Sequence, residues 1–117
     1  MHVRGDSNTI TSNVISKPIK YGIYLRGNKN TSYNNKIAGK TKKVAIGIYS
    51  YKGSKHNTIK YNAVANFKHG ICIKFDSKTN KISKNKIINN RFGLSTNYKF
   101  KNSTNIIKGN IMNIRYL

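Results

Sequence analysis

Residues 69–87 read His69-Gly70-Ile71-Cys72-Ile73-Lys74-Phe75-Asp76-Ser77-Lys78-Thr79-Asn80-Lys81-Ile82-Ser83-Lys84-Asn85-Lys86-Ile87. Ile71 and Ile73 alternate with polar or small residues after the glycine, Ile82 stands two places after Asn80, and Ile87 two places after Asn85. A period of two describes a short strand with one buried face, and glycine and asparagine between such runs mark turns. The same order recurs along the chain. Asparagine pairs five residues apart occur at Asn8 and Asn13, Asn30 and Asn35, Asn57 and Asn62, Asn80 and Asn85, and Asn105 and Asn110. Between them fall Gly22-Ile23, Gly47-Ile48, Gly70-Ile71 and Gly93-Leu94, so the unit repeats about every 23 to 25 residues.

Apolar residues keep fixed offsets within this unit. Ile10, Ile59, Ile82 and Ile107 follow the first asparagine by two; Ile15, Ile37, Val64, Ile87 and Met112 follow the second by two. After each glycine the inward positions are Ile23 and Leu25, Ile48 and Ser50, Ile71 and Ile73, and Leu94 and Thr96. Each coil therefore carries three short strands, and residues 1–117 form a single solenoid segment with coils starting near residues 8, 30, 57, 80 and 105. Ser32 stands where isoleucine is expected, which marks the second coil as the place where packing or register should be disturbed. An amphipathic helix is excluded by the frequent glycine, asparagine and β-branched residues and by the period of two.

The stretches Gly22-Ile23-Tyr24-Leu25-Arg26-Gly27 with Asn30-Thr31-Ser32-Tyr33-Asn34-Asn35-Lys36-Ile37, and their counterparts at residues 69–87, resemble the parallel β-helix repeats of the pectate-lyase-like superfamily. The resemblance covers Asp6 to Ile114 and implies an all-β fold, a right-handed parallel β-helix of about four to five coils with three short strands each. It also implies that the second asparagine of each pair, Asn13, Asn35, Asn62, Asn85 and Asn110, sits at a tight turn with its amide stacked on the equivalent residue one coil away. Asparagine suits that place because it tolerates left-handed backbone and its amide both donates and accepts. At about 4.8 Å per coil the repeats make a rod only about 20 Å long. Solenoids need covered ends, and no amphipathic helix or distinct domain flanks these repeats. The expectation is a fragment with missing flanking coils, or a homo-oligomer or other partner over the ends.

Composition sets the range of partners. The chain has 23 Lys and Arg against two carboxylates, Asp6 and Asp76, for a formal charge of +21. Such a charge attracts polyanions: nucleic acid, anionic membrane or acidic polysaccharide. Codon bias toward Lys, Asn and Ile explains the lysines but not the scarcity of Asp and Glu. Cys72 is the single cysteine, so no internal disulfide forms. No metal site or cofactor is expected. Met1 to Asn8 lacks the apolar segment of a signal peptide, and no run approaches the roughly 20 apolar residues of a membrane span. The compartment stays open, extracellular or cell-surface if the target is a polysaccharide.

In the strand after each glycine, alternation points Tyr24, Tyr49, Cys72 and Ser95 outward in one stripe, with Arg26, Tyr51, Lys74 and Asn97 in the next. Many members of the superfamily place their substrate groove on this face. Tyrosine faces suit sugar rings, and Arg and Lys suit uronate or sulfate groups. Tyr24, Arg26, Tyr49, Tyr51, Lys74 and Asn97 are thus the candidate substrate-binding residues. The bland reading is that outward Tyr and Lys are ordinary solvent-facing strand residues. His69, preceding Gly70 as Tyr21, Ile46 and Phe92 precede theirs, falls inward by alternation, as a partly buried stacking residue.

The carboxylates argue against glycoside hydrolysis. That chemistry needs two carboxyl groups about 5 to 10 Å apart. Asp6 and Asp76 precede asparagine pairs three coils apart, roughly 14 Å at the parallel-strand spacing. A calcium site of several carboxylates is excluded on the same ground. Pro18 follows Lys17, so the Asp-Pro-His motif of uronate epimerases with this fold is absent. Arg4-Gly5-Asp6 reads as a turn rather than an integrin-type motif, and no phosphate-binding glycine loop appears. The leading expectation is binding, with processing such as β-elimination left open, of an acidic polysaccharide on the outward face of the Gly-Ile strand. The alternative is a structural solenoid, part of a phage fibre or adhesin. Nucleic-acid binding ranks third, because Lys17, Lys43, Lys55, Lys60, Lys86 and Lys101 spread around the coil instead of gathering on one face.

Overall fold

The structure, a computed structural model, describes residues 1–74, 79–98 and 104–117. Asp76 and Lys101 lie outside the described residues. Strands are numbered β1 to β15 in chain order. Sheet A contains β1 (His2–Arg4), β4 (Tyr21–Arg26), β7 (Ile46–Ser50), β10 (His69–Ile73), β13 (Phe92–Thr96) and β15 (Met112–Tyr116), neighbours in that order. Sheet B contains β2 (Thr9–Thr11), β5 (Thr31–Tyr33), β8 (Thr58–Lys60) and β11 (Lys81–Ser83). Sheet C contains β3 (Val14–Ser16), β6 (Lys36–Ala38), β9 (Ala63–Ala65), β12 (Lys86–Ile88) and β14 (Ile106–Lys108). All pairings are parallel and join one coil to the next, so the chain is a parallel solenoid of three sheets, with no sheet B strand between β13 and β14 among the described residues.

The core is a set of columns. Ile23, Ile48, Ile71 and Leu94 stack in sheet A, and Ile37, Val64 and Ile87 stack in sheet C. All are essentially inaccessible to solvent. Like residues meet because each strand pairs with the same strand of the next coil, so a side chain at one offset always lies over its counterpart. Ser32 keeps the column register between Ile10 and Ile59. The disturbance expected there does not arise, because its hydroxyl donates to Asn62 Oδ1 at 3.2 Å and is itself within 3.1 Å of Asn35 Nδ2. Phe67 is fully buried. It fills the corner between sheets C and A where Gly39 and Gly47 leave room: a Cβ at Gly39 would come within 2.8 Å of its ring.

The asparagines carry the corners. Asn13 Nδ2 donates to Asn35 Oδ1, Asn35 to Asn62, Asn62 to Asn85 and Asn85 to Asn105, at 3.0 to 3.1 Å. The first asparagine of each pair forms a second ladder through the backbone, Asn8 N–H to Asn30 Oδ1, Asn30 to Asn57 and Asn57 to Asn80, at 2.8 to 2.9 Å. A third begins where the Phe67 N–H donates to Asn90 Oδ1 at 2.9 Å and continues from Asn90 to Asn110. The left-handed residue at each corner is the one before the ladder asparagine, not the asparagine itself: Ser12, Asn34, Tyr61 and Lys84 have φ between 54° and 57°. Asparagine is required at these positions for its amide alone.

Two expectations for the last coil need correction. Asn110 lies on the third ladder, opposite Asn90, while Asn105 takes the place expected for Asn110. Accordingly Ile107 pairs with Ile87 in sheet C rather than joining Ile10, Ile59 and Ile82, and Met112 pairs with Phe92 in sheet A. The cause is spacing. Asn85 and Asn105 are 20 residues apart, against 23 for Asn62 and Asn85, so this shorter coil completes its turn in fewer residues and Asn105 already stands at the second corner. A coil does not start at residue 105.

Candidate functional site

Sheet A presents its outer face along the solenoid axis. The column Tyr24, Tyr49, Cys72, Ser95 is aligned by strand register and continues into Arg115. These side chains leave the core side, yet Tyr24, Cys72 and Ser95 are buried, against the expectation of an open stripe. The residues before each glycine cover them. Tyr21 packs on Tyr24 with ring centroids 4.8 Å apart and stacks on Tyr49 at 5.4 Å, while His69 Nδ1 lies 2.7 Å from Ser95 Oγ. His69, Tyr21 and Phe92 therefore sit outside, not inside as alternation suggests. Alternation fails at the glycine because its missing side chain faces the core, as does the following Ile or Leu: a Cβ at Gly22 would lie 2.6 Å from Ile37 Cγ2.

The result is an aromatic cluster with cations set into it. Tyr24 is at the centre, with His2 edge-on at 4.3 Å, Tyr49 at 5.4 Å and Tyr51 at 5.8 Å. The Arg26 guanidinium covers the Tyr51 ring at 4.8 Å, and Lys20 approaches Tyr21 at 5.4 Å. Further along, the Arg115 and Arg91 guanidiniums approach the Phe92 ring at 4.5 and 5.2 Å, and Phe92 packs on His69 at 5.1 Å.

Two clefts open here and Tyr21 lines both. One, of about 330 Å³, is bordered by Tyr49, His69, Cys72, Lys74 and Arg115 over Ile46 and Leu117. The other, of about 340 Å³, is bordered by His2, Lys20 and Tyr24. Of the candidate residues, Tyr24, Arg26, Tyr49 and Tyr51 are thus gathered into one cluster. Lys74 borders the first cleft, whereas Asn97, exposed beyond β13, lines neither. Tyr21, His69, Phe92 and Arg115 were not among the candidates. The glycine repeat carried the signal for the first three, since they share the position before it.

Lys74 and Arg115 place positive charge at the first cleft. Among the described residues, no Asp or Glu side chain lines either cleft. Asp6 caps a corner instead, accepting from the Asn28 N–H at 2.8 Å. Burial, reinforced by Lys68, Arg115, Lys74 and Arg91, lowers His69 to about 4, so its ring is neutral at pH 7. Burial pushes the Cys72 thiol up to about 11 despite Lys74 and Arg115, and it raises Tyr24 and Tyr49. At neutral pH the site holds neutral hydrogen-bonding groups and fixed positive charge, with no thiolate nucleophile.

A pH dependence of stability follows. The unfolded chain protonates His69 near 6.5 and the folded chain only near 4. Between these values the unfolded state binds more protons, so stability should fall as pH drops through that window, with the penalty complete below it. Urea midpoints measured from pH 7 to pH 4 should show the decline, and His69→Gln should make it shallower.

No curated protein and no solved structure gives a significant match to this chain. The family described as right handed beta helix region matches residues 1–115, the same span over which the three sheets and their asparagine ladders run, and the chain therefore belongs to the right-handed β-helix family.

Proposed function

We propose that the outer face of sheet A binds an acidic polysaccharide. The observation that supports this most directly is the pair of clefts joined at Tyr21, a surface on which tyrosine rings lie beside Lys20, Arg26, Lys74 and Arg115 and to which, among the described residues, no Asp or Glu side chain is contributed. Sugar rings present apolar faces that lie against tyrosine, while their carboxylates or sulfates meet Arg and Lys. The formal charge of +21 adds long-range attraction, which salt screens. Tyr24 serves as the buried base on which Tyr21, Tyr49 and Tyr51 rest, and these three make the contact.

The test is titration of uronate and sulfated oligosaccharides against the protein and against Tyr49→Ala. Tyr49 is only partly buried, so its loss should leave the fold intact and weaken binding about tenfold, the equivalent of one aromatic stacking contact. Unchanged affinity in the variant, or indifference of the wild-type protein to acidic over neutral sugars, would exclude this face as the binding groove.

A further inference from the structure

The cleft around His69 differs in kind from the tyrosine cluster beside it. Ser95 is fully buried, and its Oγ lies 2.7 Å from His69 Nδ1. Phe92 packs against the imidazole and is itself approached by the Arg91 and Arg115 guanidiniums. The ring is therefore fixed by a hydrogen bond at one nitrogen and by packing across its face. Lys74 and Arg115 line the same cleft, and both act on His69 and on Cys72 through space.

We propose that this cleft seats one anionic substituent of the bound polysaccharide, a carboxylate or a sulfate ester, with neutral His69 donating from Nε2 beside Lys74 and Arg115. The inference rests on the polysaccharide reading of the same face and adds which group is recognised and by what. The hydroxyl of Ser95 has one hydrogen to give, and His69 Nδ1 is its acceptor; the ring proton is then left on Nε2, the other nitrogen. The reverse tautomer would make Nδ1 the donor and leave the Ser95 hydrogen, inside a solvent-free site, in need of another acceptor. A neutral donor is the fitting third partner for an anion already facing two cations. A third positive charge is disfavoured there, first by burial and then by Lys68, Arg115, Lys74 and Arg91, whereas an imidazole N–H adds a directed bond without added charge. Cys72, Ile46 and Leu117 complete the lining, and among the described residues no Asp or Glu side chain faces Lys74 and Arg115 there.

The experiment uses the full chain, labelled with nitrogen-15, and three hexasaccharide probes: hexagalacturonate, its fully methyl-esterified form, and a sulfated galactan of the same length. At pH 7 the imidazole spectrum should show Nδ1 bare and Nε2 protonated, and the Nε2–H signal should move on addition of an acidic probe and stay in place with the methyl ester. His69→Phe, which keeps the ring packing on Phe92 and removes the donor, should weaken an acidic probe about tenfold and leave the methyl ester unchanged. Loss with hexagalacturonate identifies the substituent as carboxylate, and loss with the galactan as sulfate; either supports the seat. A proton found on Nδ1, or equal weakening of acidic and esterified probes by His69→Phe, overturns the seat while leaving the tyrosine groove standing. If no probe binds the wild-type chain, the seat and the groove fall together.

Discussion

Asn62→Asp is expected to destabilise the fold by about 4 kcal/mol, because it leaves a buried acceptor facing acceptors at several contacts that each cost about 1 to 3 kcal/mol. The exchange is isosteric and keeps Oδ1, which accepts from the Asn35 N–H and Nδ2 at 3.0 Å and from the Ser32 hydroxyl at 3.2 Å. It replaces Nδ2, which donates to Ser32 O at 2.9 Å, Asn85 Oδ1 at 3.1 Å and Lys60 O at 3.2 Å. Three oxygens would then confront a carboxylate oxygen in a site that is 1% exposed. The comparator is Asn34→Asp, at an exposed left-handed position that aspartate tolerates, where the change should stay within about 0.5 kcal/mol. Urea midpoints at pH 7 for the two variants decide the matter. Equal, small effects would mean that the ladder does not hold the coils in register.

Gly47→Ala should be nearly as damaging, at about 3 kcal/mol, the upper end of what an added methyl costs in a packed interior. Its Cβ would stand 2.5 Å from the Gly70 carbonyl oxygen, 3.1 Å from the Phe67 ring and against Val64 Cγ1. The backbone oxygen cannot yield without moving the next coil. Gly22 and Gly70 meet the carbonyl of the following coil's glycine in the same way, so the column is a line of close backbone approach and not of unusual torsion. Gly53→Ala separates the two causes. Nothing lies within 4 Å of its added Cβ, but its φ of 79° is left-handed, so the cost there should be about 1 kcal/mol. Thermal unfolding of both variants reads the difference; a larger loss at Gly53 than at Gly47 would contradict the packing account.

Charge and register explain why the site was less legible than the fold. The stripe of outward positions was readable from alternation, and Tyr24, Arg26, Tyr49 and Tyr51 do meet in one cluster. Which of them stay accessible depends on how Tyr21 and His69 fold over the column, and that depends on the glycine corner where alternation stops. His69 shows the point most clearly: one residue of register error at Gly70 moves it from the core to the wall of a cleft.

The repeat of asparagine pairs and glycines, with isoleucine at fixed offsets, by itself determined a parallel solenoid with three strands per coil. A local pattern suffices there because each coil contacts only its neighbours and stacks like on like. Tertiary structure decided where the ladders run, which residue takes the left-handed corner, and which corner the short segment before Asn105 reaches. It also decided that Ser95 anchors His69 under the charges of Lys74 and Arg115. Those outcomes depend on how far each connecting segment carries the chain round the coil and on distances between coils, and spacing along one coil holds no record of either.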